Sequence, residues 1–230
     1  MRLLIILAVS CGLIAQLHLP GSGGHKNAGG TSGNEPADTS KSLDKAPEQT
    51  KSVANIAPGE PDGYVLQLAW APTSRARFVV GGFEPQLPDG SIRDSCGKPK
   101  KLSGKVVRLA APYMRSAADA QREWDAHGVC AGLDPGDYFT RMIQARVAVQ
   151  LPVQLTSLEG DATANGEQIE SYFAGANTTF PAKAFQATCA NGSFEGVRVC
   201  FDRSLDPREC RGEARACGTS IRITSQSARP

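Results

Sequence analysis

The side chains best suited to chemistry in this chain of 230 residues lie in Arg122-Glu123-Trp124-Asp125-Ala126-His127-Gly128-Val129-Cys130. Of its three histidines, His18 and His25 fall in an apolar N-terminal run and the Gly-rich segment behind it. His127 is the one within the stretch expected to fold. On a 3.6-residue period Glu123 and His127 share a helix face, so a carboxylate and an imidazole come within reach of one ligand. Such a pair suits proton transfer. A plainer reading is a helix end where Glu123 satisfies the imidazole, Gly128 stops the helix, and Trp124 and Cys130 anchor it.

Elements must hold that segment in place. Tyr64 to Trp70 alternates as a half-buried strand and stops at Ala71-Pro72. Arg77 to Val80 is a second strand, broken by Gly81-Gly82. Val106 to Ala111 reads as either helix or strand. Ser116 to His127 is a helix capped by Ser116. Asp134-Pro135-Gly136-Asp137 opens the next, Tyr138 to about Gln150, with Tyr138, Phe139, Met142, Ile143 and Val147 on one face. Asn165 to Phe173 is a further helix, closed near Gly175. Ala184 to Cys189 and Gly196 to Phe201 are antiparallel strands, and Ile221-Arg222-Ile223 closes the sheet. Early strands, central helices and late strands predict an α+β fold.

Residues 1–24 have the outline of a secretory signal: one Arg, an apolar run from Leu3 to Leu17, then Pro20 and small residues. An uncleaved anchor, or a lipid on Cys11 after Leu7-Ala8-Val9-Ser10, is the alternative. Residues 25–62 are too polar to offset their ordering entropy and read as a flexible linker. Residues 63–225 form one domain. Secreted or periplasmic placement follows, with an anchored form as the variant.

If Cys11 leaves with the signal, six of the seven cysteines remain, an even number for an exported chain. Six allow fifteen pairings. Cys200 with Cys210, nested inside Cys189 with Cys217, is the economical arrangement and leaves Cys96 with Cys130. With no C-x2-C pair and one domain histidine, tetrahedral zinc is not expected, and no cofactor is called for. The net charge of +2 makes no case for polyanion binding from the total alone. Lys98, Lys100, Lys101, Lys105 and Arg108 cluster before the His127 helix, and Arg75, Arg77 and Arg122 join them in the same half. Such a run is either a solvated face or a phosphate contact.

The order of motifs resembles the ribonuclease T2 family, in the shorter form of bacterial secreted enzymes. Glu123 to Cys130, EWDAHGVC, is similar to the family's block HEWxKHGTC. The D-P-G-D-Y-F helix start follows it. Ile169-Glu170 and Phe173 before Asn177, then Cys189, V-R-V-C-F-D and Cys210, also fit, and YVLQLAWAPT resembles the first strand. The resemblance spans Tyr64 to Cys217. It implies a ribonuclease T2-like fold with a central antiparallel sheet. It also implies metal-independent cleavage of RNA to 2′,3′-cyclic phosphates by two histidines, one a base and one an acid.

By that resemblance His127 is the base and Glu123 assists at the phosphate. Arg122 stands where a phosphate-binding histidine is usual and could keep the contact, since guanidinium matches phosphate oxygens. Trp124 counts with the substrate-binding residues. Three positions are degenerate. Ala126 replaces the lysine that stabilises the phosphorane. In Phe78-Val79-Val80-Gly81-Gly82-Phe83-Glu84-Pro85-Gln86, similar to FxxHGLWP, Gly81 replaces the acid histidine and Glu84 its neighbouring tryptophan. Glu84 is expected to point away from the vacated position, the alternative being a replacement acid whose pKa burial raises, and Phe83 to be an exposed stacking surface.

A lost general acid costs about 10² to 10⁴ in rate, roughly 3 to 5 kcal/mol of barrier. The expected function is therefore an exported protein acting on RNA with weak or lost cleavage. The alternative is an inactive RNA- or nucleotide-binding envelope protein. RNA or nucleotides are the expected partners, DNA is not, and a monomer with no nameable protein partner is the default.

Overall fold

The computed structural model describes residues 60–75, 77–212 and 217–225. Residues 1–24, with the outline of a signal and including Cys11, and nearly all of residues 25–62, expected to be a linker, lie outside them. The strands are β1 (Gly63–Trp70), β2 (Phe78–Gln86), β3 (Ala162–Ala164), β4 (Phe185–Ala190), β5 (Ser193–Asp202) and β6 (Ile221–Ile223). The helices are α1 (Gly104–Ala110), α2 (Ala117–Ala126), α3 (Pro135–Ala148), α4 (Val153–Thr156) and α5 (Gly166–Ala176). The fold is α+β, a six-stranded sheet in the order β2-β1-β5-β6-β3 with β4 also pairing β5. Every pairing is antiparallel except the short contact of β5 with β6.

Alternation in β1 and β5 puts Leu66, Leu68, Val197, Val199 and Phe201 into the core, where Ile169, Phe173 and Phe185 meet them. Glu170 accepts a hydrogen bond from the Ala187 amide at 2.9 Å and so ties α5 to β4. Buried Asn177 accepts from the Gln150 amide at 2.8 Å and donates to the carbonyls of Gln150 and Phe173 at 2.9 and 2.8 Å. That clasp joins the end of α5 to the chain leaving α3. The disulfides are Cys96–Cys130, Cys189–Cys217 and Cys200–Cys210. The first fastens the loop after β2 to the turn of 3-10 helix, Gly128–Cys130, that follows α2.

Caps fall where the sequence places them. Ser116 accepts from the Asp119 amide and opens α2. Asp134 accepts from the amides of Gly136 and Asp137 and opens α3, with Pro135 in the first turn. The ambiguous run around Val106 is helical, α1, capped by Ser103.

Several expectations change. β2 is not broken at Gly81-Gly82 but runs on to Gln86, and β3 completes the sheet against β6. Opposite Gln67 and Leu68 the register shifts, with Gly82 facing Gln67 and Val80 facing Leu68, so Gly81 is the extra residue of a β-bulge. α5, by contrast, closes at Ala176, next to Gly175 as expected. Val147 is 61% exposed and off the core face of α3, which Ala145 completes instead.

Candidate functional site

The bulge decides which side chains meet. In a regular strand Gly81 and Gly82 would face opposite ways, but one extra residue turns two successive positions to the same side. A β-carbon built on Gly81 would lie 3.1 Å from the Ala69 β-carbon and 3.8 Å from that of Gln67. One built on Gly82 would lie 3.4 Å from Glu123 Oε2, 3.5 Å from Gln67 Cγ and 3.6 Å from Glu84 Oε1. Both glycines therefore open on the face that carries Gln67, Glu84 and Glu123.

Period two from Gly82 brings Glu84 to that face as well. Its carboxylate lies 4.0 Å from His127 Nε2 and accepts from Gln67 Nε2 at 3.2 Å. The expectation that Glu84 points away is overturned. The reason is the strand's continuation through the glycines, which keeps positions 82 and 84 on one side. His127 is the C-cap of α2, its amide bonded to the Glu123 carbonyl at 2.9 Å. Its Nδ1 stands 3.4 Å from the Arg93 carbonyl. The carboxylate within ion-pair distance of the imidazole is thus Glu84 and not Glu123.

Glu123 is buried and turned inward. Its Oε1 accepts from the Phe83 amide at 2.6 Å and lies 2.6 Å from the Tyr138 hydroxyl, which also reaches the Phe83 carbonyl at 2.5 Å. Burial raises the Glu123 carboxyl above its ordinary value, against the lowering by the Tyr138 and Phe83 hydrogen bonds and by His127; nearby Glu84 raises it further. Burial, with Glu123 beside it, likewise pushes the Tyr138 phenol well up. This carboxylate locks β2 to α2 and α3 and presents Oε2 toward Gly82.

Two substrate-binding expectations fail. Phe83 is fully buried, stacked on Tyr64 with ring centroids 4.6 Å apart, because its side chain points to the core side of β2. Trp124 is 7% exposed and meets Tyr138 edge-on at 5.8 Å, so it packs the helix and has no open face for a base. Gly128 belongs to the same packing, since a β-carbon there would come within 2.3 Å of Trp124 Cε3. Arg122 is two-thirds exposed and paired with Asp119. Asp119 lines a polar cleft of about 580 Å³ together with Gly81, Gln67, Arg115 and Glu195, whereas Arg122 is not part of its wall.

Gln67, Tyr138 and Arg93 join the site only through the fold. The polar position of β1 was a signal for Gln67. Tyr138 was legible as a core residue, but its hydroxyl needs a partner only three-dimensional packing reveals. Among the described residues no cluster of His, Cys, Asp or Glu is arranged to hold a metal.

The chemistry open to this face is limited by spacing. In-line transfer at phosphorus needs a base and an acid on opposite sides. A phosphate with a hydrogen bond of about 2.8 Å on each side cannot enter between groups already 4.0 Å apart. Glu84 is placed as a partner of the imidazole, not as an acid across a phosphate.

No family model matches the sequence, and no curated protein matches it either. Solved structures do. The RNase-related protein from Calystegia sepium is 20% identical over 70% of this chain and 96% of its own, with a TM-score of 0.53. Actibind, a T2 ribonuclease, is 17% identical over 73% and 90%, with a TM-score of 0.55. The self-incompatibility-associated SF11-RNase of Nicotiana alata is 14% identical over 73% and 100%, with a TM-score of 0.56. The fold of this chain is that of the T2-type ribonucleases.

Proposed function

We propose that the protein is an exported member of the ribonuclease T2 lineage that binds RNA in the cleft lined by Gln67, Gly81 and Arg115 and along the adjoining face that carries His127, with endonucleolytic transesterification weak or lost. The observation that carries this reading is the face itself. His127 and Glu123 are held in place, the acid position is a glycine, and the imidazole nitrogen is met by Glu84. With Gly81 and Ala126 in place of acid and lysine, departure of the 5′-oxygen lacks a proton and the phosphorane lacks a cation. The acid alone is worth about 10² to 10⁴ in rate. His127 remains able to take the 2′-hydroxyl proton once Glu84 moves aside, so residual activity would yield the cyclic phosphate. Arg115, which lines the cleft, and the exposed Arg122, paired with Asp119 of the cleft wall, are the cations that would contact phosphate. Export is supported by the signal-like residues 1–24 and by the disulfides, which form in oxidising compartments. The domain of residues 63–225 is the unit to which the reading applies.

The test is binding of single-stranded RNA by the full-length, disulfide-formed protein with chelator present, at rising salt. Affinity that falls steeply with salt and weakens in Arg115→Gln supports the reading. No binding at low salt rejects it.

A further inference from the structure

A second cleft, of about 730 Å³, lies where the turn after β1 meets the end of α3. Its cationic groups are Arg75 and Arg146, and no acidic residue lines it. Among the described residues neither arginine has a carboxylate within ion-pair distance. Arg146 is held by one hydrogen bond, from Nη1 to the Val149 carbonyl at 3.2 Å. Burial lowers its pKa, with the Tyr113 phenol close enough to act against that shift. Ser74 Oγ, on the cleft wall, is buried without a hydrogen-bond partner. Apart from Gln150 and the Tyr113 hydroxyl, the remaining walls are apolar, among them Pro112, Met114, Val149, Leu151 and Val147, which is 61% exposed.

A guanidinium drawn partly out of water with no counter-ion is costly unless an anion completes it. An exposed valine beside it is apolar surface left for the same ligand to cover. We propose that this cleft is a second ligand site, taking an organic phosphate whose anionic head meets Arg146 and Arg75 and whose aromatic or aliphatic body lies on Tyr113, Val147 and Leu151. Guanidinium groups suit phosphate oxygens, and Tyr113 offers a ring to a flat body or a wall to a chain. The proposal does not depend on RNA binding at the His127 face. The shared chemistry has two sources, a nucleotide or a phosphorylated lipid chain.

Titration calorimetry on the full-length, disulfide-formed protein separates them, with uridine 5′-monophosphate, dodecyl phosphate below its micelle concentration, and inorganic phosphate as probes. Binding of either organic phosphate at least about tenfold tighter than inorganic phosphate is expected. Uridine monophosphate alone would identify a nucleotide site, and dodecyl phosphate alone a lipid-chain site. Arg146→Gln should weaken the bound probe by about tenfold or more. Val147→Asp, at an exposed position that does not threaten folding, should weaken it as well, while His127→Ala leaves it unchanged. The proposal is overturned if neither organic phosphate binds at about 1 mM. It is equally overturned if inorganic phosphate binds as well as they do, or if binding ignores Val147→Asp and vanishes in His127→Ala.

Discussion

The two sides of β2 differ in what they have kept. On the core side Phe78, Val80 and Phe83 are fully or almost fully buried, and Phe83 stacks on Tyr64. Its backbone is bound by Glu123 and Tyr138. On the open side the same strand carries Gly81, Gly82 and Glu84, with Ala126 near the end of α2. One side positions; the other, which on the proposed reading is the face for proton transfer, has glycines at two positions and a carboxylate 4.0 Å from His127. The framework that aims a catalytic residue is separable from the residue itself, because it is built from core packing and backbone hydrogen bonds.

That contrast can be broken first on the core side. Phe83→Ala should lower stability by about 3 to 5 kcal/mol in denaturant unfolding, since it empties a fully buried ring position. An effect below about 1 kcal/mol would return Phe83 to the surface role that the sequence alone suggested. Gly128→Ala should cost less, about 1 to 3 kcal/mol, as its β-carbon must push Trp124 aside.

Glu123→Gln sharpens the comparison through pH. The Glu123 carboxyl is raised from its ordinary 4.5 in the folded state, so the wild type binds that proton more tightly when folded. Its stabilising contribution is full below the unfolded value and is lost as pH rises through the folded one. The glutamine variant keeps an acceptor for the Phe83 amide and has no charge to desolvate. Its stability relative to wild type should climb from about pH 4.5 upward and then level. Thermal unfolding across that range checks this, and a difference independent of pH would contradict it. On the open side Gly81→Ala should change stability by only about 1 kcal/mol or less, because the position is exposed and its new β-carbon meets the Ala69 methyl alone below 3.4 Å.

The sequence displayed the core side well. Alternation in Tyr64 to Trp70, the Ser116 and Asp134 caps and the nesting of Cys200–Cys210 within Cys189–Cys217 are local patterns, and the structure repeats them. The open side was less legible. Gly81-Gly82 reads as a strand break because glycine is a poor strand former. Yet paired along β1, the chain absorbs one residue as a bulge and continues. That single register shift turns Glu84 toward His127, and no periodicity confined to one strand contains it. Phe83 and Trp124 turn to the core for a related reason: an aromatic beside a site serves the ligand or the core according to which way its strand or helix is rotated. Val147 failed through the breadth of the α3 stripe, whose core edge ends at Ala145.

The most direct measurement is RNA cleavage in chelator, between mildly acidic and neutral pH, by the full-length, disulfide-formed protein beside Gly81→His and His127→Ala. Ala69→Gly is added to Gly81→His to relieve the 3.1 Å approach of the new β-carbon. The account predicts little or no cleavage by the unmodified protein. It predicts a gain of at least about tenfold in Gly81→His, lost again when His127→Ala is added. Brisk cleavage by the unmodified protein that disappears in His127→Ala would contradict the claim that the open side lacks its proton donor.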